Sequence, residues 1–584
     1  MTKLSATQRF FKMLELDKRE ISYIYLYAIF SGLITLSLPL GIQAIIGLIV
    51  GGSVSAALVV LVSVVTIGTM LTGILKVMQL TVTENIQRRL FARSSFEFAW
   101  RLPRIRYEKL LGDYPPELVN RFFDTLTLQK GLPKLLTDIS TAALQIVFGL
   151  LLISLYHATF VVFSVSLIFI LIALFYFTGP RGLSTSMLES KYKYKVAHWL
   201  EEIGRAVTTF KLSGQAKLPL DKTKGLVAGY LSARRSHFRI LLLQYGAMVV
   251  FKTLVTLALL SLGALLVIEN SITIGQFVAA EIVIILILSS IEKLILSMDV
   301  IYDMLTAVEK IGYVTDLPME DEAAGLCFNE VKKGNHGMAL EFRQLNFRFP
   351  DSERKVIDEL TLSIKAGEKI CILGPNRSGK STLIQLAGLL YTEYEGSISY
   401  NGIPARNLDY QDLRRHIGDY MRDEDIFRAT LLQNLWLHDD SPDLRQIQEV
   451  IETFGLTEYV AGLPDGYDTE LLPSGRNLPA SVRTKLLLAR TLMGNPALLA
   501  LGDFGANLNA ADRRRIAEVL TRIDDHTTVL AVSDDPYFAS RCDRIIYLEN
   551  GKVALDGTYA QLAQDPRVAY TLGLSSADPY NSIN

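Results

Sequence analysis

Nine consecutive residues, Gly374-Pro-Asn-Arg-Ser-Gly-Lys-Ser-Thr382, have the types and spacing to hold a chain of phosphates. The glycines let the backbone wrap around an anion, and the exposed amides plus a helix N-terminus supply donors. Lys380 has the reach for terminal phosphates, and the Ser381 hydroxyl has the chemistry of an Mg²⁺ ligand. Gly374, Asn376, Arg377, Ser378, Gly379 and Thr382 complete the expected cradle. Phe349, some 25 residues upstream, could stack on a base, although an aromatic at a strand end is often there for packing.

Such a motif works only between a strand and a helix. The apolar run Lys369 to Leu373 predicts the strand, and Thr382 to Leu390 the helix. From Met338 onward the chain alternates like an α/β domain, whereas residues 21 to 300 hold nearly all the long apolar runs. The expected division is a short segment 1–20, a six-helix membrane domain 21–312, a linker 313–337 and a nucleotide-binding domain 338–584. The fold class is thus an α-helical membrane domain joined to an α/β P-loop domain.

Six runs are long enough to cross a bilayer, which takes about 20 helical residues. They are approximately Ile21 to Val50, Val54 to Leu80, Leu135 to Tyr156, Ala158 to Phe177, Ile240 to Ile268 and Ile272 to Met298. Pro39 and Gly41 predict a kink in the first. The connections Thr81 to Lys134 and Gly179 to Arg239 are long and rich in Lys and Arg, and the other three are short and carry neither. The positive-inside rule then puts both long loops and both termini in the cytosol. Each long loop reads as helix, turn, helix, with turns that could dock on a soluble domain near Tyr114 to Asn120 and Arg205 to Lys211.

Glu281, Glu292 and Asp299 are spaced by 11 and 18 residues, which would place them on one helical face. Lys252 lies mid-way along the fifth run, nearer in depth to Glu292 than to Glu281. Charges in hydrocarbon are costly, so these groups should face a cavity or each other. A structural ion pair and a role on a substrate path are both compatible with the spacing.

Composition narrows the classes further. The 584-residue chain has 50% hydrophobic and 20% charged residues, a net charge of −1 and a mean hydropathy of +0.27. That balance suits a lipid bilayer and argues against a nucleic-acid partner. Cys327, Cys371 and Cys542 have no metal-ligand spacing and read as reduced cytosolic thiols. No cleavable signal peptide is expected, because residues 1–19 are polar and the following apolar run is too long for one.

Longer stretches carry a family likeness. "LEFRQLNFRFPDSERKVIDELTLSIKAGEKICILGPNRSGKST", "GSISYNGIP", "LPDGYDTEL", "LLLARTLMGNPALLAL" and "CDRIIYLENGKV" resemble the nucleotide-binding domain of the ABC exporter superfamily. "LSLPLGIQAII" and "SITIGQFVAAEIVI" look most like half-transporters of bacterial type I secretion and related export systems. The resemblance spans almost the whole chain. It implies ATP and Mg²⁺ as cofactors, a homodimer or a heterodimer with another ABC half, a bacterial inner membrane, and room for a membrane-fusion partner. No N-terminal peptidase domain is expected, since the chain enters the membrane almost at once.

The same resemblance exposes departures. Where the family has Leu-Ser-Gly-Gly-Gln, this chain has Leu478, Pro479, Ala480, Ser481 and Val482. Pro479 brings neither hydroxyl nor N–H, though it suits the first turn of a helix. Twenty-four residues on from Leu478, Gly502 replaces the Walker B carboxylate and Asp503 the general base, one methylene short. A one-residue slip would make Asp503 the Walker B acid but put Phe504 at the base position. Arg422 stands at the Q-loop glutamine, Asn509 at the D-loop aspartate and Asp534 at the switch histidine. Asp503 is left as a weak base candidate.

Phosphoryl transfer depends on positioned charges. These losses predict an export subunit that binds ATP but hydrolyses it poorly. The alternatives are a nucleotide-regulated or structural membrane subunit, or a passive conduit with a vestigial motor. Six spans exclude a soluble kinase.

Overall fold

A computed structural model describes the chain except residues 1–4, 51–55, 113, 215–216, 321–324, 329–336, 351, 422–424, 439 and 577–584. The chain divides into two compact units. One is Met1–Arg104 with Asp113–Leu317, and the other is Ile105–Gly112 with Pro318–Asn584.

The first unit contains six helical spans, Lys18–Ile49, Ala56–Arg104, Pro115–Ser154, Ala158–Arg205, Lys217–Ile268 and Ile274–Thr315, here spans 1 to 6. Most run far beyond the 20 residues that hydrocarbon requires, because polar helical stretches continue the apolar ones. Span 2 leaves Val60, Ile67, Met70 and Val77 exposed, a surface that only lipid or another apolar partner would cover. Span 1 breaks at Leu36, between Lys18–Thr35 and Ser37–Val50. Pro39 accounts for the position, since it lacks the N–H that would bond the Thr35 carbonyl four residues back. Span 6 breaks at Ser297, between Ile274–Leu296 and Met298–Thr315. The final helix thus runs three residues into the stretch 313–337 read as linker.

Spans 3 to 6 enclose an apolar core that includes Ile146, Phe160, Met248, Leu259, Ile284 and Ile287. Small residues permit close approach. A Cβ at Gly149 would meet Ile287 at 2.9 Å, and one at Gly182 would meet the Tyr302 ring at 2.2 Å. Beside Tyr302 the packing turns polar. Gln244 donates to the Thr178 hydroxyl and the Tyr302 hydroxyl, both at 2.8 Å. The imidazole of His237, fully buried, lies 2.9 Å from Thr185 Oγ1 and 3.2 Å from Asp299 Oδ1, tying spans 4, 5 and 6.

In the second unit, β1 (Leu340–Phe347), β2 (Ile357–Ile364), β4 (Glu395–Tyr400) and β5 (Ile403–Pro404) form an antiparallel sheet in the order β2-β1-β4-β5. A six-stranded sheet has the order β12-β11-β3-β10-β9-β6. Its strands are β3 (Lys369–Leu373), β6 (Ile417–Tyr420), β9 (Leu498–Leu501), β10 (Thr528–Val532), β11 (Arg544–Glu549) and β12 (Lys552–Gly557). All its pairings are parallel except β11 with β12. β3 is buried at every position, as expected of a strand covered on both faces. Cys371 and Leu373 enter one apolar cluster while Ile370 and Ile372 enter the other. A short two-stranded pair, β7 (Ala429–Thr430) with β8 (Glu470–Leu471), lies apart.

The segment Ile105–Gly112 comes from the loop after span 2 yet belongs to this second unit. The Glu108 carboxylate, 3% exposed, accepts from the amides of Thr392 at 2.5 Å and Glu393 at 2.9 Å. Arg106 and Lys109 flank the Glu393 carboxylate at 3.2 and 3.6 Å, and Tyr107 packs edge-on against Tyr391. The sequence offered two candidate docking turns, and of these Tyr114 to Asn120 belongs to the first unit. Arg205 to Lys211 also stays with the first unit. Replacing Glu108 by Ala removes the acceptor of two backbone amides, at about 2 kcal/mol. Limited proteolysis of the full chain should then cut within 105–112 roughly 30-fold faster, while Glu108→Gln, which keeps an acceptor, changes little.

Candidate nucleotide-binding site

Parallel strands bring their C-terminal ends to one edge of the sheet, where ligands of open α/β sheets bind. The register sets β3 Ile372 beside β10 Val532, β10 Ala531 beside β9 Leu501, and β9 Leu501 beside β6 Tyr420. Gly374, Asp534, Gly502 and Met421, which follow these strands, therefore gather along that edge.

The loop after β3 has the shape a phosphate needs. Gly374 has φ 143° and Gly379 φ 101°, with Arg377 at 66°. A Cβ at Gly374 would lie 2.1 Å from the Leu548 carbonyl oxygen, so only glycine fits. The helix Lys380–Ala387 begins directly after Gly379. Lys380 Nζ bonds the loop's own carbonyls, Gly374 O at 2.6 Å and Pro375 O at 2.8 Å. Ser378 Oγ is buried without a hydrogen-bond partner among the described residues, and a phosphate oxygen would satisfy it. Asn376, Arg377 and Ser381 are exposed, whereas Thr382 is buried. These residues fit a nucleotide's phosphates, and Ser381 can offer one Mg²⁺ ligand.

Phe349 is part-buried, with its ring edge-on to Phe347 at 5.3 Å and Tyr391 at 5.8 Å. The packing role raised from the sequence is accordingly present in the fold.

The other side of the site is poor in the groups that phosphoryl transfer uses. Gly502 follows β9 directly and donates its amide to the Tyr420 carbonyl at 2.7 Å. Asp503 is exposed and accepts from the Gly505 amide at 3.1 Å. Phe504 is buried, with its ring against Phe538 at 5.6 Å, so the slipped register offers no side chain there that could act on water. Burial pushes the Lys380 ammonium below its ordinary range, and the carboxylates of Asp503 and Asp534 pull it back up. Both acids are therefore close enough to act on Lys380 electrostatically.

Pro479 precedes the helix Ala480–Thr491 and gives it no side-chain cap, so Ser481 and Val482 lie in an uncapped first turn. Asn509 caps the helix Ala510–Arg522 by accepting from the Asp512 amide at 2.8 Å. Arg422 lies outside the described residues. The three cysteines are free thiols, Cys371 and Cys542 buried and Cys327 exposed, and no metal-binding group of His, Cys, Asp or Glu occurs among the described residues.

Asp534 is exposed and makes no hydrogen bond among the described residues. With a γ-phosphate on Lys380 its charge is repulsive. Asp534→Asn should tighten ATP binding by about tenfold, roughly 1.4 kcal/mol, in equilibrium titration at low salt.

In the membrane unit, Lys252 Nζ lies 3.4 Å from Glu292 Oε2. Glu281 has no hydrogen bond or ion pair among the described residues. Asp299 also faces span 5, its Oδ1 lying 3.2 Å from His237 Nε2.

A phosphate cradle at the carboxyl edge of a parallel sheet, on a chain with six apolar spans, defines a multi-pass membrane protein with a nucleotide-binding domain. The sequence family described as "ABC transporter transmembrane region" matches residues 21–291, and that described as "ABC transporter" matches residues 357–503. The chain belongs to the ABC transporters, as an exporter-type transmembrane domain with an ATP-binding domain.

Similar proteins include the ATP-dependent lipid A-core flippase of Burkholderia orbicola, 28% identical over 247 residues, 42% of this chain and 41% of that protein. An ABC transporter ATP-binding protein of Bacillus subtilis, YfiB, is 30% identical over 229 residues, 39% of this chain and 40% of that protein. The chain thus spans about two fifths of the length of the curated relatives it matches. The structure of a bacterial Atm1-family ABC exporter with ATP bound shares the fold, with a TM-score of 0.83 and 18% identity over 96% of this chain and 100% of that one.

Proposed function

We propose that this chain is one half of a dimeric exporter of the bacterial inner membrane, with both termini in the cytosol, that binds ATP but hydrolyses it slowly. The observation that carries the reading is an asymmetry. The cradle from Gly374 to Thr382 is geometrically complete, while the end of β9 presents Gly502 where the family holds a carboxylate. Binding rests on Lys380 and backbone amides, which are present. Turnover rests on a held Mg²⁺, a placed base and donors across the dimer, which Gly502, Asp503 and Pro479 weaken.

A competent partner would not restore a normal pair of sites. Gly502 and Asp503 spoil the site on this chain's own P-loop, and Pro479 to Val482 spoil the one on the partner's. That double loss also supports a second reading, in which nucleotide acts as a clamp in a regulatory or structural subunit without active transport. A membrane-fusion protein is a compatible further partner.

The test is ATP binding and ATPase on the purified chain in lipid, beside Lys380→Ala. Saturable binding that Lys380→Ala abolishes, with turnover near background, is expected. Robust hydrolysis by the unmodified chain, lost in Lys380→Ala, would overturn the impaired motor.

A further inference from the structure

A helix in a bilayer normally turns its polar groups inward and its apolar groups to lipid. The segment Ile274–Leu296 of span 6 does the reverse. Its buried face is apolar around Val283, Ile284, Ile287 and Ile291, apart from Ser290, which donates to Gln145 Oε1 at 2.9 Å. Its open face carries, at helical spacing, Glu281, Ile285, Ser289, Glu292 and Leu296. Ile285 and Leu296 are 58% and 57% exposed and Ser289 is exposed as well, while Glu281 and Glu292 are half-buried. Span 5 adds Lys252, whose side chain is 51% exposed while paired with Glu292. The exposed face of span 4 is different in kind, showing Val162, Val165, Phe169 and Ile172.

Hydrocarbon against the stripe would strip water from a carboxylate and an ion pair, which the apolar face of span 4 never requires. Water, by contrast, solvates both. Glu281 lies 11 residues from Glu292, about 16 Å along the axis. The polar groups therefore extend through much of the membrane depth rather than marking one end. Charge along the stripe is uneven. Lys252 neutralises Glu292, but Glu281 has no partner among the described residues.

We propose that the stripe Glu281–Ile285–Ser289–Glu292, with Lys252, lines a water-filled path through the membrane domain, and that Glu281 favours cargo bearing positive charge there. This rests on the exporter reading and supplies its substrate class, a hydrophilic cargo with cationic groups.

The test uses the full chain in proteoliposomes, in a Cys327→Ser background to remove the exposed native thiol. Single cysteines are introduced by Ile285→Cys on the stripe and Val165→Cys on the apolar face of span 4. Each is titrated with a trimethylammonium methanethiosulfonate and with its sulfonate counterpart, neither of which dissolves in lipid. Ile285→Cys should react at least tenfold faster than Val165→Cys. The cationic reagent should outpace the anionic one by about tenfold at residue 285, one helical turn from Glu281. Adding Glu281→Gln should bring that ratio near one.

Equal, slow labelling at both positions would overturn the path. A ratio unmoved by Glu281→Gln would overturn the cargo preference. ATP binding is measured in the same vesicles. Its absence alongside fast labelling at residue 285 would sink the exporter reading while leaving the aqueous stripe standing.

Discussion

In a Gly502→Asp/Asp503→Glu double variant, ATP turnover should rise by about 10²-fold over the unmodified chain. Misplacing a catalytic group by about 1 Å can cost about 10²-fold. On the proposed register, Asp503 stands one methylene short of the family's glutamate, with Gly502 in place of the adjacent carboxylate. The fold can take the repair. A Cβ at residue 502 would lie 3.1 Å from the Tyr420 carbonyl oxygen, so the strand end must give by only a few tenths of an ångström. Pro479, Asp534 and Arg422 remain unrepaired, so the gain should stop well short of a fully active motor. Single-turnover hydrolysis at saturating ATP and Mg²⁺ is the measurement. A double variant that binds ATP and still turns over at the original rate would show that the end of β9 is not what limits the reaction.

Gly374→Ala should be the most damaging single methyl in the nucleotide-binding unit. Two costs add there. A φ of 143° is strained for any residue with a Cβ, and that Cβ would sit 2.1 Å from the Leu548 carbonyl oxygen. Strain of about 1–3 kcal/mol and overpacking of similar size suggest a loss of about 3 kcal/mol, with ATP binding lost as the cradle shifts. For a unit of this size that is a fall of roughly 6–12 °C in its melting transition. Gly402→Ala separates the two costs. Gly402 also has positive φ, 82°, but a Cβ there meets nothing within 4 Å. It should cost about 1 kcal/mol and leave nucleotide binding unchanged.

The architecture was legible because it is written in long patterns. Six apolar runs and one strand–loop–helix motif survive any uncertainty of a residue or two. Local details were legible where a single residue dominates, as with Pro39, which sets the break at Leu36. What the sequence hid depends on partners far apart along the chain. Glu108 looks like any acid in a basic loop; only the fold shows it buried against the amides of Thr392 and Glu393. The spacing of Glu281, Glu292 and Asp299 could not name their partners, since the His237–Asp299 contact joins residues 62 positions apart. Phe349 could be read two ways because stacking on a base and packing on Tyr391 ask for the same ring.

The inclusion of Ile105–Gly112 in the second unit has a consequence for biogenesis. Glu108 and its partner Thr392 are separated by 284 residues of synthesis. At about 5–20 residues per second, the segment waits roughly 15–60 s on the ribosome before its binding surface exists. Four apolar spans emerge during that interval. The second unit therefore completes these contacts only once a segment made much earlier can reach it. A stall or a premature stop anywhere in the interval would leave a hydrophobic membrane fragment with a buried-type carboxylate and no amides to receive it, a species marked for quality control.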